Sequence, residues 1–247
     1  MSDQTSAAGR ALRGGYETLG ISLSMLLDAG RGIMTTESAD KRLIEWSAKM
    51  LDLVDMKFTV TGRENIDPSK SYLLMSNHAS HFDIPVLYQA YRRPLRMVAK
   101  KELYRIPFFG PAMRAAGFPE VDRGNRAKAV ESLRQGSSLI ESGVSLWIAP
   151  EGTRSRDGTL QPYKKGGFVL ALESSLVILP LGLAGTRDVL APSTLTLHRG
   201  VHVHAHFGAP IVPSAEGYSV PARDALMATV RASMVESIAY AQAQRGA

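Results

Sequence analysis

The residues best suited to do chemistry stand together in Asn77-His78-Ala79-Ser80-His81-Phe82-Asp83. An apolar stretch, Tyr72 to Met75, precedes this run, and Ile84-Pro85-Val86-Leu87-Tyr88 follows it. The pattern predicts a buried strand, a sharp polar turn and then a helix with Pro85 in its first turn. His78 and Asp83, at the mouth of such a turn, can face each other across it. The carboxylate then fixes the imidazole tautomer and stabilises the imidazolium once a proton is taken. Asp83 has a simpler possible use as the cap of the helix it opens. Asn77 and Ser80 have a similar one, as turn residues that bond the local backbone. The chain contains no cysteine, and no serine sits in a G-x-S-x-G elbow. A base without a protein nucleophile suggests that the substrate supplies the attacking group.

A second candidate run is Pro150-Glu151-Gly152-Thr153-Arg154-Ser155-Arg156-Asp157-Gly158, which leaves the apolar segment Ser145 to Ala149. In open parallel sheets the ligand crevice lies beyond the carboxyl ends of the strands, where both runs would emerge. Gly152 permits close approach of the backbone, Thr153 offers a hydroxyl, and Arg154 can hold a phosphate bidentately. Glu151 can accept a bond from a hydroxyl or orient an arginine. A third segment, Lys100 to Gly110, mixes cations with apolar residues and continues to Val121-Asp122-Arg123. Its charges suit the anion-binding wall of the same pocket, although a charge run by itself is usually a solvated face.

The elements that must position these residues are legible from periodicity. Strands are expected at Lys57 to Thr61, Tyr72 to Ser76, Arg96 to Ala99, Pro119 to Val121, Ser145 to Ala149, Val177 to Leu181 and Val201 to Phe207. Helices are expected at Asp83 to Tyr91, Phe108 to Ala116, Arg126 to Ser142, Phe168 to Glu173 and Ala222 to Ala243. Repeated strand–helix units imply an α/β fold with a mostly parallel sheet flanked by helices on both faces.

Residues 1–55 read differently, as an N-terminal amphipathic two-helix hairpin ahead of an α/β domain at 56–247. Leu12, Tyr16, Leu19, Leu23 and Leu26 form an apolar stripe. Gly30 and Gly32 break it, and Thr35-Thr36-Glu37 starts a second helix with an acidic first turn. Either the pair packs on the main domain, or it lies in the headgroup region of a membrane with Trp46 or Leu26-Leu27 dipping inward.

The 247 residues carry a formal charge of +6, with 45% apolar and 21% charged residues. Such a chain is an ordinary globular protein that favours anionic company, and charge alone does not choose among nucleic acid, lipid and phosphorylated metabolites. The absence of cysteine excludes disulfides and thiolate metal sites. No segment supplies the roughly 20 apolar residues of a transmembrane helix, and no signal-peptide pattern opens the chain. His202, His204 and His206 alternate along one strand face; without acidic or cysteine partners nearby, a polar sheet face is favoured over a metal site.

Taken in order, these segments resemble the glycerolipid acyltransferase family typified by 1-acyl-glycerol-3-phosphate acyltransferases. The N-H-x-S-x-x-D signature is matched by Asn77, His78, Ser80 and Asp83. The K-x-E-L…P-x-x-G block is matched by Lys100 or Lys101 with Glu102, Leu103, Pro107 and Gly110, and a following D-R by Asp122-Arg123. Pro150 to Ser155 matches P-E-G-T-R-S in full. Tyr163-Lys164-Lys165-Gly166 and Ile178-Leu179-Pro180-Leu181 complete the set, so the resemblance covers roughly residues 56–212. Departures are Ala149 where an aromatic is common, Tyr163 for phenylalanine and Leu181 for valine.

The resemblance implies a glycerol-3-phosphate acyltransferase-like fold and direct acyl transfer without an acyl-enzyme. His78 would take the proton of the acceptor hydroxyl and Asp83 would orient it. Glu151, Gly152, Thr153, Arg154 and Arg123 would place the acceptor phosphate, helped by Lys100 or Lys101. Backbone amides near Gly152 would face the oxyanion. No cofactor or metal is expected. The donor would be an acyl carrier protein or CoA thioester and the acceptor a lysophospholipid such as 1-acyl-sn-glycerol-3-phosphate. The place of work would be an anionic membrane surface on the cytoplasmic side, with no nucleic acid partner. Three alternatives stand beside this reading: another lysophospholipid or amino-acid lipid as acceptor, a non-catalytic membrane-binding relative, and a hydrolase. The set His78, Asp83, Glu151 and Arg154 argues against the binding module, and the missing nucleophile elbow argues against the hydrolase.

Overall fold

The computed structural model describes residues 6–121 and 136–245. Two helices, α1 (Ala7–Gly30) and α2 (Thr36–Leu53), lead into β1 (Lys57–Thr61), β2 (Leu73–Ser76) and α3 (Asp83–Tyr91). Next come β3 (Leu95–Met97), β4 (Ala99–Lys100), α4 (Phe109–Ala115) and β5 (Glu120–Val121). The second half holds helical residues 136–141 (α5), β6 (Ser145–Ile148), α6 (Gly166–Glu173) and β7 (Ile178–Ala184). It closes with α7 (Thr186–Val189), β8 (His202–Phe207) and α8 (Val220–Arg245).

Six strands form one sheet in the order β1-β8-β7-β2-β6-β3. Every neighbouring pair is parallel except β7 with β8. Side chains of a strand alternate between faces, so the central β2 feeds two cores. Leu74 joins Val86 and Leu179 on the α3 side, while Leu73 and Met75 join Phe168, Ile178 and Val230 on the other. This is the α/β architecture expected from the strand–helix alternation. Helix α8 lies directly on β7. A Cβ at Gly182 would fall 2.3 Å from the backbone of Ser237, so any side chain there would push the helix away.

One expected element divides. Arg96 to Ala99 reads as a single strand, but β3 stays in the main sheet while β4 pairs with β5 in a separate two-stranded ribbon. The backbone shows why: Val98 donates to Trp147 of the main sheet and the next amide, Ala99, donates to Pro119 of the ribbon. The helix expected from Arg126 to Ser142 falls for most of its length outside the described residues.

The N-terminal pair forms as its sequence dictates. Ser6 accepts the amide of Gly9 at the start of α1, and Thr35 and Ser38 cap α2 reciprocally. The pair then packs on the body: α1 meets α2 and α4, and α2 meets α3. Met25, Leu43, Leu51 and Val54 share one core with Leu74 and Val86, so the hairpin and the α/β portion are not separate in packing. A buried ion pair fastens the join. Arg96 is 2% exposed, pairs with Asp40 of α2 and donates to the Ala116 carbonyl after α4. Breaking such a pair strands a buried charge, at a cost of about 3–5 kcal/mol.

The apolar stripe of α1 is largely not the packing face. Leu12 and Tyr16 are 76% and 73% exposed, and Leu19, Leu23 and Leu27 are also open. Of the residues expected to dip into a membrane, Leu27 is open while Trp46 and Leu26 pack against the core, and the indole of Trp46 donates to Thr18. The helix buries its smaller face, through Gly14, Ser22 and Met25, and leaves the larger apolar residues outside.

Candidate active site

The site is built where β2 ends. The imidazole of His78 reaches Asp83 at the first turn of α3, with Nδ1 and Oδ2 2.7 Å apart. A carboxylate can only accept, so Nδ1 carries the proton and Nε2 holds the free lone pair. The same Oδ2 receives the amides of Ala79 and Ser80 at 2.8 and 2.9 Å. Asp83 therefore braces the turn and orients the histidine at once; its two possible uses are one arrangement. Behind the imidazole stands Trp147 of β6, edge-on with ring centroids 5.4 Å apart. Its indole N–H donates to Ser76 at 2.9 Å, which fixes that wall.

The turn is pinned from outside as well. Asn77 makes a two-way amide bridge with Leu183 of β7, donating at 2.9 Å and accepting at 2.8 Å. Ser80 donates to the carbonyl of Leu190 at 2.7 Å and accepts from Phe82. The bonds to Leu183 and Leu190 cross more than a hundred residues of chain, so the two side chains do more than close a local turn.

The Pro150–Ser155 loop lies against His78. Glu151 accepts the amide of His78 at 3.0 Å through one oxygen and that of Gln161 at 2.8 Å through the other. Both oxygens serve the backbone, and the side chain is buried, so Glu151 neither orients an arginine nor reaches the crevice in this arrangement. Burial raises its pKa above the ordinary carboxylate value, with the two amide bonds and the nearby imidazole pulling the other way. Gly152 takes φ of 73° and donates its amide to Ala149, so that N–H is not aimed at an oxyanion.

Arg154 is half-buried, and its charge acts on His81, which places it beside the histidine turn. His81 keeps part of its ring open to solvent. Desolvation by the surrounding walls, then the charge of Arg154, holds its imidazole below the ordinary value. Thr153 is exposed on the same loop. Lys100 and Lys101 sit between Ala99 and Leu103, which line the same cavity as His81. Arg123 lies outside the described residues. The structure thus brings His78, Asp83 and Glu151 together, with Arg154 close enough for its charge to act on His81; Lys100 and Lys101 adjoin cavity-lining residues in the chain but do not themselves line the cavity.

That cavity is about 620 Å³ and is almost wholly apolar. His81, Phe82 and Pro85 of the histidine turn form one wall, and Met25 of α1, Met97 of β3 and Met113 of α4 contribute to others. Such a volume suits a single small-molecule moiety with few polar atoms. Sequence reading missed both the cavity and Trp147, because each depends on elements that meet only in three dimensions.

The three alternating histidines lie elsewhere, along β8 facing β1. Thr59 bridges His202 and His204 at 2.9 and 2.7 Å, and Thr61 bridges His204 and His206 at 2.9 and 2.8 Å. These ring nitrogens are engaged with threonine hydroxyls. Among the described residues no group of three or more His, Cys, Asp or Glu side chains is placed to hold a metal ion.

A family model described as Acyltransferase matches residues 57–184, more than half of the chain. The chain belongs to the acyltransferase family. Among curated relatives it is 34% identical over 155 residues to a 1-acyl-sn-glycerol-3-phosphate acyltransferase of Saccharomyces cerevisiae, covering 62% of this chain and 50% of that protein. It is 42% identical over 120 residues to one of Limnanthes douglasii, covering 47% and 42%. A Borreliella burgdorferi relative of the same name matches at 31% over 157 residues, 62% of each chain. The chain therefore spans about half the length of the curated relatives it matches. Its fold is similar to that of the 1-acyl-sn-glycerophosphate (LPA) acyltransferase PlsC of Thermotoga maritima. The TM-score is 0.68 at 22% identity, over 90% of this chain and 96% of that one. The family's match runs from β1 to the end of β7, so it takes in the histidine turn, the Glu151 loop and the strands that carry both.

Proposed function

We propose that this protein moves a fatty acyl group from an acyl carrier protein or CoA thioester to the free sn-2 hydroxyl of 1-acyl-sn-glycerol-3-phosphate, giving phosphatidic acid. The observation that carries the proposal is His78 itself. Its Nδ1 is held by Asp83, its Nε2 keeps the basic lone pair, and its turn also walls an apolar cavity fit for an acyl chain. Relatives that bear this acceptor in their names support the choice of substrate.

In the reaction His78 Nε2 accepts the hydroxyl proton as the acceptor oxygen attacks the thioester carbonyl carbon. A C–O bond forms, and the tetrahedral intermediate then expels the thiolate, which takes the proton from the imidazolium. Asp83 stabilises that imidazolium, and the two backbone amides on the same oxygen keep the carboxylate in place. No protein nucleophile enters. Arg154 holds the acceptor phosphate, with Lys100 or Lys101, Arg123 and Thr153 completing the anion site; Gly152, its amide bonded to Ala149, leaves room for close approach, and Glu151 supports the loop from beneath.

The work is done at a membrane surface, on the cytoplasmic side where thioester donors are made. Leu19, Leu103, Ile106 and Leu195 line the cavity and are also exposed, Leu195 at 81%. The cavity thus opens onto an apolar rim, continuous with Leu12, Tyr16 and Leu23 of α1. Phe108 extends the rim from a tight turn at φ of 62°, in which Phe109 donates to the Pro107 carbonyl at 2.7 Å. This strained γ-turn is a rare arrangement for a residue with a side chain. It keeps an aromatic ring in solvent, which a lipid surface would cover. Among the described residues no helix is long and apolar enough to cross a membrane, and the contact proposed here is made by the exposed apolar rim at the surface.

Initial rates on a panel of acceptors test the proposal. Lysophosphatidate should exceed lysophosphatidylethanolamine, lysophosphatidylcholine and monoacylglycerol, because a guanidinium matches a phosphomonoester best. Arg154→Ala should raise KM for lysophosphatidate by the equivalent of roughly 1.5–3 kcal/mol. Equal rates on monoacylglycerol would overturn the phosphate clamp.

A further inference from the structure

The loop after β6 grips the main chain of His78 at both ends. Glu151 Oε1 accepts its N–H at 3.0 Å, and the amide of Ser155 donates to its carbonyl at 2.7 Å. Glu151 Oε2 takes the Gln161 amide at 2.8 Å, which closes the loop on itself. Gln161 is held in turn by Arg231 of α8 through its carbonyl. Glu151 is 2% exposed and has no charged partner in these bonds. A buried carboxylate is costly unless its lone pairs are satisfied, and here both bonds go to backbone donors. One of those donors belongs to the residue proposed as the base.

We propose that Glu151 is a positioning residue: its ionised carboxylate fixes the main chain of His78, so that Asp83 and Glu151 hold the base from its side chain and its backbone respectively. This rests on the acyl-transfer reading for its consequence in turnover, while the clamp itself is independent of substrate. It differs from an acceptor-phosphate role in what is lost on substitution. A positioning residue acts on every acceptor through kcat, whereas a phosphate-site residue acts on KM for phosphate-bearing acceptors.

The arrangement requires the charged form. A protonated carboxyl turns one of its two acceptors into a donor facing an N–H, and one amide loses its bond. Burial raises the pKa of Glu151, so protonation begins at higher pH than for an ordinary glutamate and loosens His78 as pH falls. The titratable groups that act on Glu151 are His78 and Asp83 from the turn, and Tyr163 responds to it from its own segment. Arg231 reaches that segment from α8.

The experiment combines kinetics of Glu151→Gln with amide titration of the wild-type protein. The substituted side chain would present an NH2 to one of the two amides, so kcat should fall about 10²-fold on lysophosphatidate and on monoacylglycerol alike, as for an ångström-scale misplacement. KM should move by less than about threefold on either acceptor, since no substrate contact is lost. A normal thermal transition should show that the variant folds. In the wild-type protein the amide-proton shifts of His78 and Gln161 should titrate with one shared midpoint, above the ordinary glutamate range, and the variant should lose that shared step. A rise in KM confined to lysophosphatidate, with kcat unchanged, would overturn the proposal. So would independent or absent titration of the two amides, which needs no turnover and no variant. Wild-type protein inactive on every acceptor would contradict the acyl-transfer reading alone, and the amide titration would still decide the clamp.

Discussion

His78 and Asp83 share one short contact, 2.7 Å from Nδ1 to Oδ2, and that oxygen also anchors the amides of Ala79 and Ser80. The aspartate thus fixes where the imidazole sits and which of its nitrogens is basic. Asp83→Asn can keep both the turn and the Nδ1–H contact by placing its carbonyl at the Oδ2 position, but a neutral amide no longer stabilises the imidazolium. The charged partner of the base would be lost with little change in fold. Activity should fall about 10²–10⁴-fold, as for loss of a general base, while the thermal midpoint moves only slightly. Initial rates and a thermal melt of the same preparation check this.

The exposed stripe of α1 predicts membrane contact without any need to cut the chain. Deleting the first 55 residues would remove Leu43, Leu51 and Asp40 from the core and leave Arg96 buried alone, so such a truncation tests folding rather than docking. Leu12→Ser with Leu23→Ser touches only the open face. Sedimentation with anionic vesicles should show binding weakened at least about tenfold, the equivalent of losing two leucine side chains from an apolar contact. Activity on a soluble short-chain acceptor should be preserved. Unchanged sedimentation would mean that the stripe has another use.

The histidine ladder of β8 gives a pH dependence with a definite sign. Burial lowers the imidazole of His204, with His206 and His202 adding repulsion, and burial also lowers His206. A group whose folded pKa is depressed lets the unfolded chain bind the proton first. The ladder's stability is therefore full above the ordinary imidazole value, about 6.5, and is lost as pH falls toward the folded value. Urea midpoints should drop between about pH 7.5 and about pH 5 in the wild type, a window that brackets that value. His204→Gln with His206→Gln should flatten that drop. Glu151 and Asp40, whose pKa values burial raises, work in the opposite sense and stay the same in both proteins.

Much of this arrangement was legible in the sequence because the signals are local. The apolar run into Asn77, Pro85 in the first helical turn and the spacing of His78 from Asp83 place the dyad without reference to the rest of the chain. The strand–helix alternation gives the sheet for the same reason. Besides the cavity and Trp147, three features were not legible. The stripe from Leu12 to Leu23 has helical period, but period says nothing about which face a neighbour covers; here small residues such as Gly14 and Ser22 are buried instead. Glu151 looked like a crevice residue because charged side chains after a strand usually face solvent, whereas its partners are amides of His78 and Gln161. The division between β3 and β4 depends on a Trp147 carbonyl and a Pro119 carbonyl that arrive from distant segments.

The central claim is that His78 acts as the base for acyl transfer to lysophosphatidate. The most direct measurement is the initial rate of phosphatidic acid formation from lysophosphatidate and an acyl thioester, compared between wild type and His78→Ala with circular dichroism of both. The account predicts steady turnover by the wild type and a loss of about 10²–10⁴-fold in the variant, with spectra that superimpose. A folded His78→Ala protein that turns over near the wild-type rate would contradict it.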